Sequence, residues 1–234
     1  MVHKVRAGVE AGREARSPEP EPGEPEPGAG AWGLGGGRGD GGGEADSLRR
    51  VTEYMVVSAI RAEARYVPEG IPVVVTGIGK TAAAVAVSRA LAERDTTDLV
   101  VLNVGTTGAL RDGMAGLYLP SEVINHDINA DAVRAIGLDP QESLKVDGGD
   151  GTVLASGDVF VTDPVIKAQL AERAQLVDME AYGVVFACRE FGVPVRLVKH
   201  VSDSADEAAM DWPALVDASA KVLGEWVRSE VGQV

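Results

Sequence analysis

One cysteine, three histidines and few basic residues limit what this 234-residue chain can do. A lone Cys188 cannot form an internal disulfide or supply a multi-thiolate metal site, and it falls among small apolar residues at helical spacing, which marks a buried structural thiol. His3, His126 and His200 are too scattered to suggest a ligand set, so neither a metal nor a cofactor is expected. Lys and Arg number 22 against 36 Asp and Glu, a net charge of −14. Nucleic-acid binding relies on clustered Lys and Arg to displace counterions, so DNA and RNA are not expected partners. Long hydrophobic runs are missing too: the longest, at 71–76 and 99–104, have strand length and fall far short of the roughly 20 residues of a membrane-spanning helix. The first residues carry basic groups with no apolar core behind them, so no secretory signal is read there and a cytoplasmic location is expected.

What the chain does have is unevenly placed. Residues 1–50 hold 13 of the 29 glycines and 5 of the 12 prolines, in runs such as PEPEPGEPEPG and GLGGGRGDGGG. Such a composition cannot bury enough apolar surface to offset the entropy of ordering, so a disordered tail is expected there. An ordered pattern begins near Tyr54, and one domain over 54–230 is expected. Short β-branched runs alternate in it with alanine-rich helical stretches, the pattern of a sheet covered by helices on both faces. Strands are expected at 54–58, 71–76, 98–104, 116–124, 152–156, 175–179 and 193–202. Helices with apolar residues at three- and four-residue spacing are expected at 80–93, 163–172, 180–191 and 212–227. The fold class is α/β, a three-layer α/β/α arrangement around a central mixed, twisted sheet.

Two expected strands run into glycine turns, VVVTGIGKTAAA (73–84) and VVLNVGTTGAL (100–110). In an open α/β sheet such turns lie at the carboxyl edge, where ligands bind. The first has Gly79, Lys80 and Thr81 in the manner of a phosphate-binding loop, but that motif needs a glycine where Val74 stands. The second lacks the spacing of a dinucleotide fingerprint. Acids also gather where apolar runs end. Asp178 and Glu180 flank Met179, and Ser202 and Asp203 follow Val201; a single acid there is as often a helix cap as a site group.

With these motifs in order, SAIRAEA (58–64), TGIGKTAAA (76–84), NVGTTGAL (103–110), SGDVF (156–160), VDMEA (177–181) and VSDSAD (201–206), the chain resembles the nucleoside phosphorylase and nucleosidase superfamily. Within it the bacterial methylthioadenosine/S-adenosylhomocysteine nucleosidases are the nearest in pattern. The resemblance implies hydrolysis of an adenine nucleoside, with Asp203 as the acid at adenine N7 and Glu63 as the base that activates water. It implies that Glu180, after Met179, binds the ribose hydroxyls, that Phe160 stacks on the base, and that Val161 offers backbone groups to the adenine edge. Thr106, Gly108 and Ser202 are expected at the same substrate site, and Trp212 near the 5′ substituent. A small-molecule nucleoside partner and a homodimer are implied as well.

The chemistry accounts for these residue types on its own terms. A departing adenine anion needs an acid while the sugar becomes oxocarbenium-like, and water attacking the opposite face needs a second carboxylate. A third, Glu180, places negative charge beside the cationic sugar. Plainer roles exist for each: Glu63 as a solvated residue of a first helix, Glu180 as a helix N-terminal acid, Asp203 as a cap, Phe160 as a core aromatic, Trp212 as a packing residue. His126 and Asp127 are read as bracing the site, and Arg61 and Lys199 as neutralising nearby acids.

The alternative reaction is phosphorolysis, in which phosphate replaces water and fixed cations must hold the anion. Many purine nucleoside phosphorylases have an arginine where this chain has Asn103 and Val104, so water is the expected nucleophile. Between HDIN (126–129) and SGDVF the chain is shorter than in the longer nucleosidases, which leaves the 5′ pocket and the dimer contact open.

Overall fold

The structure is a computed structural model that describes residues 52–205 and 212–232. The tail expected over 1–50 therefore lies outside the described residues. In chain order the elements are β1 (Glu53–Ser58), β2 (Val73–Val75), α1 (Lys80–Ala92), β3 (Leu99–Ala109), β4 (Leu117–Tyr118), β5 (Glu122–Asn125) and α2 (Ala130–Ala135). They continue with β6 (Ser143–Lys145), β7 (Val153–Ser156), α3 (Pro164–Ala171), β8 (Leu176–Asp178), α4 (Ala181–Glu190), β9 (Val195–Asp203) and α5 (Trp212–Val231).

All nine strands among the described residues join one sheet in the order β2-β1-β3-β8-β7-β5-β6, with β9 on β3 and β4 on β9. β3 runs parallel to β1 and β9 but antiparallel to β8, so the sheet is mixed. Alternation along the strands sends successive side chains to opposite faces. Met55, Val57, Leu99 and Val101 pack with Val87 and Leu91 of α1 and Val184 and Cys188 of α4. Val56, Leu102 and Val104 point the other way, onto Leu223 and Val227 of α5. Further along the sheet, Val123, Leu154 and Leu176 meet Val185 of α4, while Ile124, Ala155 and Val177 meet Leu170 of α3. This is the expected layered α/β architecture, and each fully buried Leu or Val in it contributes about 1.5–3 kcal/mol by leaving water.

Two expectations need correction. The glycine turn read at 100–110 is instead continuous strand: β3 extends to Ala109, and its last residues pair with β9 and β8. The glycines serve close packing. A Cβ on Gly108 would lie 2.9 Å from the Ala205 Cβ and 3.1 Å from Asp203 Oδ1. The single strand expected over 116–124 is divided into β4 and β5, with Pro120 between them, because proline has no N–H to give a ladder. Helix α2, capped by Asn129, and the short edge strand β6 were not expected from the sequence.

Candidate active site

β1 and β9 run parallel to β3 and β8 runs antiparallel to it, so the ends of β1, β8 and β9 meet beside Thr106–Gly108 of β3, and a cavity of about 150 Å³ opens there. Glu63 reaches it from the segment after β1. That segment forms turns rather than the helix on which a solvated Glu63 was imagined, and Glu63 is 4% exposed. Its carboxylate accepts four hydrogen bonds: from Ser58 Oγ (3.0 Å) and Ile60 N (3.4 Å) on one oxygen, and from Thr106 N and Oγ1 (2.8 Å each) on the other. Such a set fixes the side chain without a cation. Gly105 makes room for it, since a Cβ there would lie 3.4 Å from both Glu63 Oε1 and Lys199 Nζ.

Asp178 and Glu180, alike in sequence, part company in space. Asp178 caps α4, accepting from Ala181 N at 3.1 and 3.3 Å, and forms a buried ion pair with Lys199 at 2.8 Å. The neutralising role read for Lys199 is thereby met, whereas Arg61 is exposed. Glu180 makes no cap bond. Its Oε1 accepts instead from Gly79 N at 2.9 Å, across the cavity edge from α1. Burial, and then the nearby Asp178 carboxylate, push the Glu180 pKa up to about 7.

At the end of β9 the ladder slips: Thr107 faces Val201 but Gly108 faces Asp203, so Ser202 is the extra residue of a bulge. The bulge sets Asp203 against the cavity, with Ser202 Oγ donating to Oδ2 (2.7 Å) and Ala205 N to Oδ1 (2.9 Å). Met179, Thr106, Gly108 and Ser202 line the same cavity. Phe160 and Val161 close it from the loop after β7. Phe160 is 51% exposed, against the core-aromatic alternative, and Val161 is buried. Nine of the ten expected site residues therefore converge; for Trp212 the structure describes only its place at the start of α5, and its side chain lies outside the described residues. The apolar wall of Ile60, Ile78 and Val159 was not named from the sequence, although each residue lies inside a quoted motif.

The phosphate-loop alternative fails on geometry. The first amides of α1, which would cradle a phosphate, are taken by protein carboxylates: Gly79 N by Glu180 and Lys80 N by Asp158 Oδ1 at 2.8 Å. His126 and Asp127 stand beside this turn rather than at the cavity. Desolvation holds the His126 pKa below its ordinary value. His200 bonds Ser219 through Nδ1 (3.0 Å) as a strand residue, and Cys188 is fully buried, its thiol pushed up to about 12 by desolvation. No described helix is long and apolar enough to cross a membrane.

A family model described as the phosphorylase superfamily matches residues 149–227, which span β7 to most of α5. A crystal structure of Helicobacter pylori 5′-methylthioadenosine/S-adenosyl homocysteine nucleosidase superposes with a TM-score of 0.68 at 25% identity, covering 79% of this chain and 99% of that one. The chain has the fold of that nucleosidase. Among curated relatives, the aminodeoxyfutalosine nucleosidase of Helicobacter pylori is 27% identical over 171 residues, 59% of this chain and 74% of the relative. The 5′-methylthioadenosine/S-adenosylhomocysteine nucleosidase of Geobacillus thermodenitrificans is 28% identical over 181 residues, 66% of this chain and 75% of the relative. The matched region thus carries Phe160, Glu180 and Asp203, while Glu63 comes from the turns after β1 and Thr106 from β3, both before the matched span.

Proposed function

We propose that the chain hydrolyses the N-glycosidic bond of an adenine nucleoside modified at its 5′ carbon, releasing free adenine. The observation that carries this reading is the convergence of Glu63, Glu180 and Asp203 on one cavity beside the Phe160 ring. Names of the relatives support it, since they are nucleosidases of methylthioadenosine, S-adenosylhomocysteine or aminodeoxyfutalosine. In this reading Asp203 gives a proton or hydrogen bond to adenine N7 as the bond to the sugar lengthens, and Glu63 takes a proton from the attacking water. Glu180, with one oxygen engaged by Gly79 N, offers the other to the ribose hydroxyls and sets negative charge beside the oxocarbenium-like sugar. Phe160 covers the base.

Water is favoured over phosphate by the electrostatics of the lining. The cavity is bordered by Glu63, Asp178, Glu180 and Asp203, and none of its lining residues is Lys or Arg. The nearest buried cation, Lys199, is already neutralised by Asp178. A phosphate anion would meet Glu63, Glu180 and Asp203 and no free positive charge, the reverse of what its binding requires.

The reading is tested with a panel of adenosines bearing 5′-methylthio, 5′-homocysteinyl, 5′-hydrogen and futalosine-type groups, followed by release of free adenine. Turnover of at least one member is expected. A chain that binds these nucleosides but releases no base from any of them is a binding module and not a hydrolase.

A further inference from the structure

Lys80 is the first residue of α1, and sequence reading gave it no part beyond a phosphate loop that the chain does not form. In the fold its side chain is only 15% exposed and turns away from solvent. Nζ donates to Asn125 Oδ1 at 2.6 Å and to Asp127 Oδ1, both at the end of β5, and lies 4.0 Å from Asp158 Oδ2. Asp127 in turn accepts the Asp158 amide on its second oxygen at 2.7 Å, and Asp158 accepts the Lys80 amide at 2.8 Å. Three segments far apart in the chain are thus closed into a ring of charge-assisted hydrogen bonds, the strong kind.

The ring stands between two parts of the site. On one side Gly79, the residue before Lys80, donates to Glu180. On the other, Asp158 is followed directly by Val159 and Phe160, which line the cavity and are 44% and 51% exposed. Val161 anchors the far end of the segment in the core, but so little of the Val159 and Phe160 side chains is buried that packing alone holds residues 158–160 weakly. Nor can its approach be loosened by ordinary substitution: a Cβ on Gly157 would lie 2.2 Å from His126 Nε2, so the backbone sits directly on the imidazole edge.

We propose that Lys80 is a positioning residue for the nucleoside, holding the segment 157–161 in register with Glu180 so that the base-covering ring and the ribose-binding carboxylate are set at a fixed separation. The inference rests on the reading of Phe160 and Glu180 given above. Lys80 touches neither base nor sugar. Its loss loosens the base-covering ring while Glu180 keeps its place beside α4, so binding of the ground state and the transition state weakens alike, which raises KM and spares kcat.

The experiment compares wild type, Lys80→Met, Lys80→Arg and Asp127→Asn by steady-state adenine release and by amide hydrogen exchange of the unliganded proteins. For Lys80→Met and Asp127→Asn the expected result is a KM raised about tenfold with kcat within about threefold. Amides of 157–161 should exchange faster while those of α4 keep their protection, and Lys80→Arg should recover most of both effects. An unchanged KM, or faster exchange spread evenly over the sheet, overturns the proposal and leaves Lys80 a structural residue. Should Lys80→Met fail to fold, Asp127→Asn breaks the same ring without removing the cation. If the wild type releases no base, the hydrolase reading fails by itself, and exchange at 157–161 still decides whether the ring holds that segment.

Discussion

Of the four acids that border the cavity, Glu180 has the environment with the clearest consequence for pH. Its carboxyl is taken from the ordinary 4.5 up to about 7 by burial and by Asp178. The folded protein therefore binds a proton there that the unfolded chain has already lost, so the stabilising contribution is complete below 4.5 and disappears as pH rises through about 7. Glu180→Gln, which cannot ionise, should flatten that part of the stability-versus-pH curve in denaturant titrations; an unaltered slope would show that Glu180 is not the group responsible. In the wild type KM should fall as pH rises through the same range, because accepting hydrogen bonds from two ribose hydroxyls needs the ionised form. Residue identity made Glu180 a candidate in the sequence, but not its difference from Asp178. Both are acids beside Met179. Only the fold shows that one caps α4 and is paired with Lys199 while the other reaches for Gly79.

At the scale of elements, the helices were the more legible part, since α1, α3 and α4 carry long runs of consistent spacing and end within two residues of where that spacing stops. The strand ends were less so. Glycines at 105 and 108 read as a turn because a sequence does not tell whether glycine serves a positive φ or a close approach, and here the crowding comes from Glu63, Lys199, Asp203 and Ala205, distant in the chain. The contact of α1 with α4 is a second case. A Cβ on Gly183, within α4, would lie 2.2 Å from the Lys80 carbonyl oxygen, so the two helices touch backbone to side-chain position with no room between. Gly183→Ala should destabilise the protein by about 1–3 kcal/mol, the range of overpacking, despite alanine's better helix propensity. Because the displaced backbone is the turn whose Gly79 amide holds Glu180, activity should fall in the same variant. A thermal melt at or above that of the wild type would show that α1 and α4 are free to separate.

Across the whole molecule, the layering was legible because the apolar alternation of β1 and β3 feeds two opposite faces, and the acids were legible because Glu63, Glu180 and Asp203 lie at or just after the ends of the apolar runs of β1, β8 and β9. That Glu63, Glu180 and Asp203 share one cavity was legible only through the family resemblance and not from pattern or spacing, as it depends on the β9 bulge at Ser202 and on the turns after β1. The proposal of hydrolysis depends on that shared cavity. It is tested most directly by adenine release in phosphate-free buffer, with the full chain and with Asp203→Asn side by side on the best 5′-modified adenosine. We expect the wild-type rate to be the same with and without phosphate, and the variant to be slower by at least about a hundredfold, the lower range for a positioned proton donor. Release that requires phosphate, or a variant that turns over like the wild type, would contradict the assignment.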